Sequence, residues 1–155
     1  MTETDGYGFE LPLLLFAGFR SIIDELHAEL AREGHPQARP AHGFALQAVG
    51  PQGATASEIG RRLGISKQAA GKTVDRLEAL GYAARVPDPR DARGRLVVRT
   101  ARGTELLARS AELFEQVRAR WAAELGADRV RAMEQDLRAM VPSPLFRLDV
   151  SGWLG

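Results

Sequence analysis

The sequence predicts a mainly α fold carrying one small β-hairpin. Three observations predict it. Apolar residues recur at steps of three and four in six separate stretches, Gly or Pro punctuates most of those stretches, and one pair of short β-prone runs flanks a polar, Arg-rich loop. With 155 residues, 45% of them hydrophobic, the chain has the interior of one domain and the composition of a globular protein.

After a polar lead-in, Leu15, Phe16, Phe19, Ile22, Ile23, Leu26 and Leu30 keep helical spacing until Gly34 and Pro36 stop it. A second helix runs from Pro40, a good first-turn residue, through Phe44, Leu46 and Val49 to Gly50-Pro51. Thr55-Ala56-Ser57-Glu58 fits a capping box, followed by Ile59, Leu63 and then Gly64, which can turn the chain through a left-handed conformation. Ser66 caps the next helix, which carries Ala70, Val74, Leu77 and Leu80 and ends at Gly81. Two short strands, Tyr82 to Val86 and Leu96 to Val98, are joined by a long loop with a projecting Arg-rich tip. Thr100 caps a long helix through Leu106, Leu107, Leu113, Phe114, Val117, Trp121 and Leu125. Asp128 caps a last helix through Val130, Met133, Leu137 and Met140, with Pro142 and Pro144 ending it. Met133 and Met140 read as core.

Formal net charge is only +1, but it is segregated: residues 55–102 carry +6, residues 1–54 carry −4 and residues 103–155 carry −1. A basic middle between acidic flanks is the electrostatic footprint of a polyanion partner. The chain has no cysteine, which excludes disulfides, thiol nucleophiles and Cys-ligated metals. No basic leader and no apolar run of membrane-spanning length occur, so no membrane partner and a cytoplasmic location are expected.

Helix, glycine turn, helix and then a cationic hairpin is the order of a winged helix-turn-helix. In the second helix of the pair, Ala70, Val74 and Leu77 form one stripe that should pack on Ile59, Leu63 and Ile65. The opposite side shows Gln68, Lys72 and Asp75 beside Gly71 and Arg76, with Lys67 at the helix start. That face suits a major groove: Gln68 can bond an adenine edge, Lys72 and Arg76 can reach guanine or phosphate, and Gly71 permits close approach. Ser66 and the first amides of that helix can hold a phosphate. In the hairpin, Arg90, Arg93 and Arg95 surround Asp91, whose carboxylate can restrain a guanidinium two residues on and so aim it into a minor groove.

These residues also carry a resemblance. Leu63-Gly64-Ile65-Ser66, Val74-Asp75-Arg76-Leu77-Glu78 with Gly81-Tyr82, the wing signature Asp91-Ala92-Arg93-Gly94 and Thr100-Ala101-Arg102-Gly103 stand in the order found in the MarR family of bacterial transcription regulators, which the chain resembles over roughly residues 12–140. It departs from that pattern at Gly60, Ala83 and Arg99, which bears on local stability and strand length. The resemblance implies dimerisation helices in residues 1–34 and 101–141, a winged helix-turn-helix in 35–100 and a tail in 142–155. It further implies a homodimer on a pseudo-palindromic operator in double-stranded DNA, acting as a repressor. Release by a small aromatic or amphipathic effector is also implied, with Phe16, Phe19, Arg20, His42 and Phe44 as candidate lining. Phe16, Phe19, Phe114 and Trp121 serve either the dimer interface or the core within one chain.

Other readings predict different behaviour. His27, His35 and His42 lie near Asp24 and Glu25, but their spacing across a Gly/Pro break does not make a compact metal chelate. No Gly-rich phosphate loop, His-Glu-x-x-His or Ser elbow is present, so no enzyme and no cofactor are expected. A non-specific architectural DNA binder, or a winged helix that binds protein, remains as the alternative.

Overall fold

The computed structural model describes residues 8–141. In chain order they form α1 (Glu10–Arg32), α2 (Pro40–Val49), α3 (Ala56–Leu63), α4 (Lys67–Ala79), β1 (Ala83–Asp88), β2 (Asp91–Arg99), α5 (Ala101–Leu125) and α6 (Ala127–Met140). The expected mainly α chain with one hairpin is what is observed. The polar lead-in, the end signals Pro142 and Pro144, and the 142–155 tail lie outside the described residues.

Local chemistry explains the element ends. Thr55 and Glu58 close a reciprocal capping box on α3, with Glu58 N donating to Thr55 Oγ1 at 3.2 Å and Thr55 N donating to Glu58 Oε2 at 2.8 Å. Gly64 takes the left-handed conformation (φ 72°) that ends α3, and Ser66 then caps α4. Thr100 caps α5 by accepting from Gly103 N at 3.1 Å. At α6 the expected cap is corrected: Gly126 occupies the cap position and Asp128 lies in the first turn, where its charge still suits the helix dipole. Helix α1 starts five residues before Leu15, because Leu11, Leu13 and Leu14 favour helix and Pro12 falls in the first turn.

The hairpin differs more from expectation. The strands pair from Ala83↔Arg99 to Pro87↔Arg95 and again at Asp88↔Asp91, leaving only Pro89 and Arg90 at the turn. Ala92, Arg93 and Gly94 form a bulge in β2. The long loop of the sequence reading is therefore a short turn with a bulge beside it. Ala54 adds a third edge, exchanging hydrogen bonds with Val97 at 2.9 and 2.8 Å.

One core joins α1 to α5 and the hairpin. Leu26 and Leu30 from α1, Leu46 and Val49 from α2, Ile59 and Leu63 from α3, Ala70, Val74 and Leu77 from α4, Tyr82, Val97, and Leu106 and Leu113 from α5 form a single buried cluster. Gly60 is a place where backbone meets backbone, since a Cβ there would sit 2.9 Å from the Ile65 carbonyl oxygen. That explains glycine at this position. Arg99 ends β2 by donating from Nε to the Leu46 carbonyl at 2.8 Å, and the strand is not shortened by Arg99 or Ala83.

The long helices are less covered. Phe16 and Phe19 are 48% and 52% exposed, Leu11, Leu13, Leu14 and Leu15 are exposed, and so is Phe114. These positions do not build a core within one chain. Met133 and Met140 are corrected likewise: both are exposed, Met140 to 79%, while Val130 alone anchors α6 among its buried residues. The apolar stripe exists, but α5 covers only part of it.

A Cβ at Gly103 would lie 2.1 Å from the Tyr82 carbonyl oxygen, so Gly103→Ala forces α5 away from β1. The expected loss is about 2–3 kcal/mol, read as a lower urea midpoint with an unchanged slope. Buried His35 and His42 have pKa values lowered below 6.5, first by burial and then by arginines (Arg102 for His35; Arg76 and Arg39 for His42). The unfolded chain therefore takes up protons before the folded one does as pH falls through about 6.5. Stability is full above that pH and is lost below it; urea titrations at pH 7.5 and 5.5 should show the drop, and His35→Gln should make it smaller, the share of His42 persisting.

Candidate nucleic-acid interface

The buried side of α4 fixes its exposed side. Ala70 and Val74 are fully buried and Leu77 nearly so, against Ile59, Leu63 and the partly buried Ile65. At 100° per residue the opposite face must meet solvent. Ser66, Lys67, Gln68, Lys72, Asp75 and Arg76 are all exposed there. Gly71 sits among them, and a Cβ at that position would meet nothing within 4 Å, so the helix surface is open for close approach. At the start of α4 the Ser66 hydroxyl accepts the Ala69 amide at 3.1 Å, which takes one of the amides the sequence reading left for a phosphate.

The wing tip is organised by two carboxylates. Asp91 Oδ1 accepts the backbone amide of Arg93 at 2.9 Å. This corrects the expectation that Asp91 restrains a guanidinium: it satisfies an amide within the bulge. Asp88, buried, does what was expected of Asp91, accepting from Arg90 N at 2.9 Å and from Arg90 Nε at 3.4 Å. Arg90 Nη2 also comes within 3.8 Å of Glu58 on α3, whose carboxyl is held below its ordinary value chiefly by the Thr55 amide. Arg93 and Arg95 are exposed. The Asp88-Pro89-Arg90 spacing repeats Asp91-Ala92-Arg93, so the sequence did hold a signal for Asp88.

A connection the sequence reading missed joins helix to wing. Arg85, on β1, reaches Asp75 at 2.8 Å, pairs with Glu78 and donates from Nη2 to the Gly71 carbonyl at 3.2 Å. At the other end of the unit, His35 Nδ1 shares a hydrogen bond of 2.9 Å with the Tyr82 hydroxyl, and Arg102 lies over the Tyr82 ring at 5.0 Å. Such contacts link residues 47 and 20 positions apart, and periodicity carries no information about them.

The candidate effector lining is not brought together. Phe16, Phe19 and Arg20 lie on exposed α1, where Arg20 pairs with Asp24 at 3.5 Å. His42 is buried, and its Nδ1 accepts the Arg39 amide at 3.0 Å, which with burial keeps the ring neutral and unsuited to hold an anion. Phe44 does line a narrow cleft of about 40 Å³ between α1, α2 and α5, together with His27, Arg39, Gln47, Ser110 and Phe114. His27 Nδ1 is buried there without a hydrogen-bond partner, and burial lowers the pKa of the ring. No group of His, Asp and Glu among the described residues could hold a metal ion, and no helix among them is long and apolar enough to cross a membrane.

Comparison with known proteins agrees with this geometry. Residues 40–94 match the model of the MarR family. No curated protein matches the chain. Among solved structures, transcriptional regulator Tm0710 from Thermotoga maritima is 26% identical, covering 84% of this chain and 90% of that one with a TM-score of 0.58. The reduced form of MarR from E. coli is 25% identical, covering 85% and 96% with a TM-score of 0.69. A mutant of MarR from E. coli complexed with operator DNA is 24% identical, covering 85% and 94% with a TM-score of 0.66.

Proposed function

We propose that the chain, whose residues 40–94 match the model of the MarR family, is a sequence-specific DNA-binding transcription regulator. The observation that carries this reading is the division of α4: one side is sealed by Ala70, Val74 and Leu77, and the other presents Gln68, Lys72 and Arg76 to solvent with nothing above Gly71. Inserted in a major groove, that face offers an amide for adenine and two cations for guanine or phosphate. Arg90, Arg93 and Arg95 on the hairpin then meet the adjoining minor groove and backbone, where a narrow groove concentrates negative potential.

The regulator works as a homodimer. Leu11, Leu13, Leu14, Phe16 and Phe19 on α1, with Leu137 and Met140 on α6, are large apolar side chains left exposed, and a second copy is the simplest cover. Two recognition helices about 34 Å apart then meet successive major grooves of a pseudo-palindromic operator. Operator occupancy represses transcription. A small amphipathic or aromatic effector releases DNA by wedging open the narrow cleft beside Phe44 and Phe114, which requires that it bind the widened, DNA-incompetent arrangement better.

Selection of duplexes from a random pool should yield one preferred, near-symmetric site, and sedimentation should give twice the 16.9 kDa chain mass. Arg93→Ala is expected to weaken binding at least about tenfold, because each substitution acts in both half-sites. Lys72→Ala should weaken it and lower the slope of affinity against salt by about 1 per half-site. Unchanged melting temperatures in both variants show that the loss is one of recognition. Equal affinity for selected and random duplex would identify an architectural binder instead.

A further inference from the structure

We propose that Arg85 is the positioning residue that locks α4 to the wing and thereby sets DNA specificity without touching a base. This rests on the DNA-binding reading above. The guanidinium of Arg85 holds Asp75 at 2.8 Å and the Gly71 carbonyl at 3.2 Å and pairs with Glu78, while its own backbone amide donates to Glu78 Oε2 at 3.3 Å. Gly71, Asp75 and Glu78 follow one another at steps of four and three, so they lie on one stripe that spans about 10 Å of helix. A single side chain thus grips two turns of α4. Only arginine has the planar fork of donors to reach a carbonyl and two carboxylates together; a lysine ammonium is a point charge on a flexible stem.

The grip passes on to the wing. Arg85 is paired across the ladder with Val97, on the strand that carries Arg93 and Arg95. Asp75 stands on the exposed face of α4, where a bare carboxylate would repel phosphate; Arg85 offsets its charge from the side. The pair with Asp75, whose carboxylate is 69% exposed, contributes little stability, because water screens it. Its effect is geometric. Loss of the lock leaves Lys72 and Arg93 able to find phosphates separately, but no longer at one fixed separation, so random duplex is still bound while the preference for the operator falls.

The test uses the full chain, which contains no cysteine, so Ala79→Cys and Ala92→Cys provide two unique spin-label sites. Labelled protein diluted with unlabelled protein reports the distance within one chain. One narrow distance is expected with Arg85 present and a broadened distribution in Arg85→Ala. In the same variant, without labels, the ratio of affinities for selected and random duplex should fall at least about tenfold while affinity for random duplex changes less than about threefold. Arg85→Lys keeps the charge but not the fork and should lose about threefold in that ratio, which decides the matter if Arg85→Ala does not fold. A folded variant that keeps both the narrow distance and the wild-type ratio overturns the assignment of Arg85. Wild-type protein with no preferred duplex overturns the regulator reading, and the distance distribution in Arg85→Ala still decides whether Arg85 is the lock.

Discussion

The constraint on which the rest depends is the complete burial of one stripe of α4. Ala70, Val74 and Leu77 lose nearly all contact with water within the core shared with α2 and α3, at a gain of about 1.5–3 kcal/mol for each of the two larger side chains. A helix so held cannot rotate about its axis without exposing that surface. Its polar and cationic side is therefore presented at a fixed angle, and the close crossing at Gly60 fixes the approach of α3 as well. Presentation of a reading surface is here a consequence of core packing.

Backbone contacts bind the winged unit to the long helices. The Tyr82 carbonyl accepts from Thr100 at 3.1 Å and nearly touches Gly103, while Arg102 donates to the Leu80 and Gly34 carbonyls and Arg99 to that of Leu46. With Arg62, which donates to the Ala48 carbonyl, and Arg85, four arginines in the basic segment are thus engaged in joining elements. The net positive charge of that segment overstates what is offered to a polyanion, which meets the side chains left outward, among them Lys67, Lys72, Arg76, Arg90, Arg93 and Arg95.

The helix-turn-helix was legible because its signals are local: Thr55 with Glu58, Gly64 and Ser66 each act within a few residues, and the α4 stripe repeats with the helical period. The hairpin was only half legible. Pro87, Asp88, Asp91 and Gly94 are poor strand formers, yet pairing from Ala83↔Arg99 outward carries the ladder past them and Asp88 closes the tip. The cleft was hardly legible, since Phe44, His27, Arg39 and Phe114 meet only through the crossing of three helices. Exposure of Met133 and Met140 was missed for a related reason. Periodicity says which side of a helix is apolar, and says nothing of what covers it.

The bulge of Ala92, Arg93 and Gly94 has a consequence for descent with modification. These residues already stand outside the ladder, while Leu96 to Val98 are stitched to β1 and to Ala54. Insertions or deletions at the bulge change how far the finger extends and leave the hairpin's root undisturbed, whereas a one-residue slip below it would turn every side chain of β2 to the wrong face. Duplicated copies of such a chain can diverge in reach at this spot without having to solve the folding problem again.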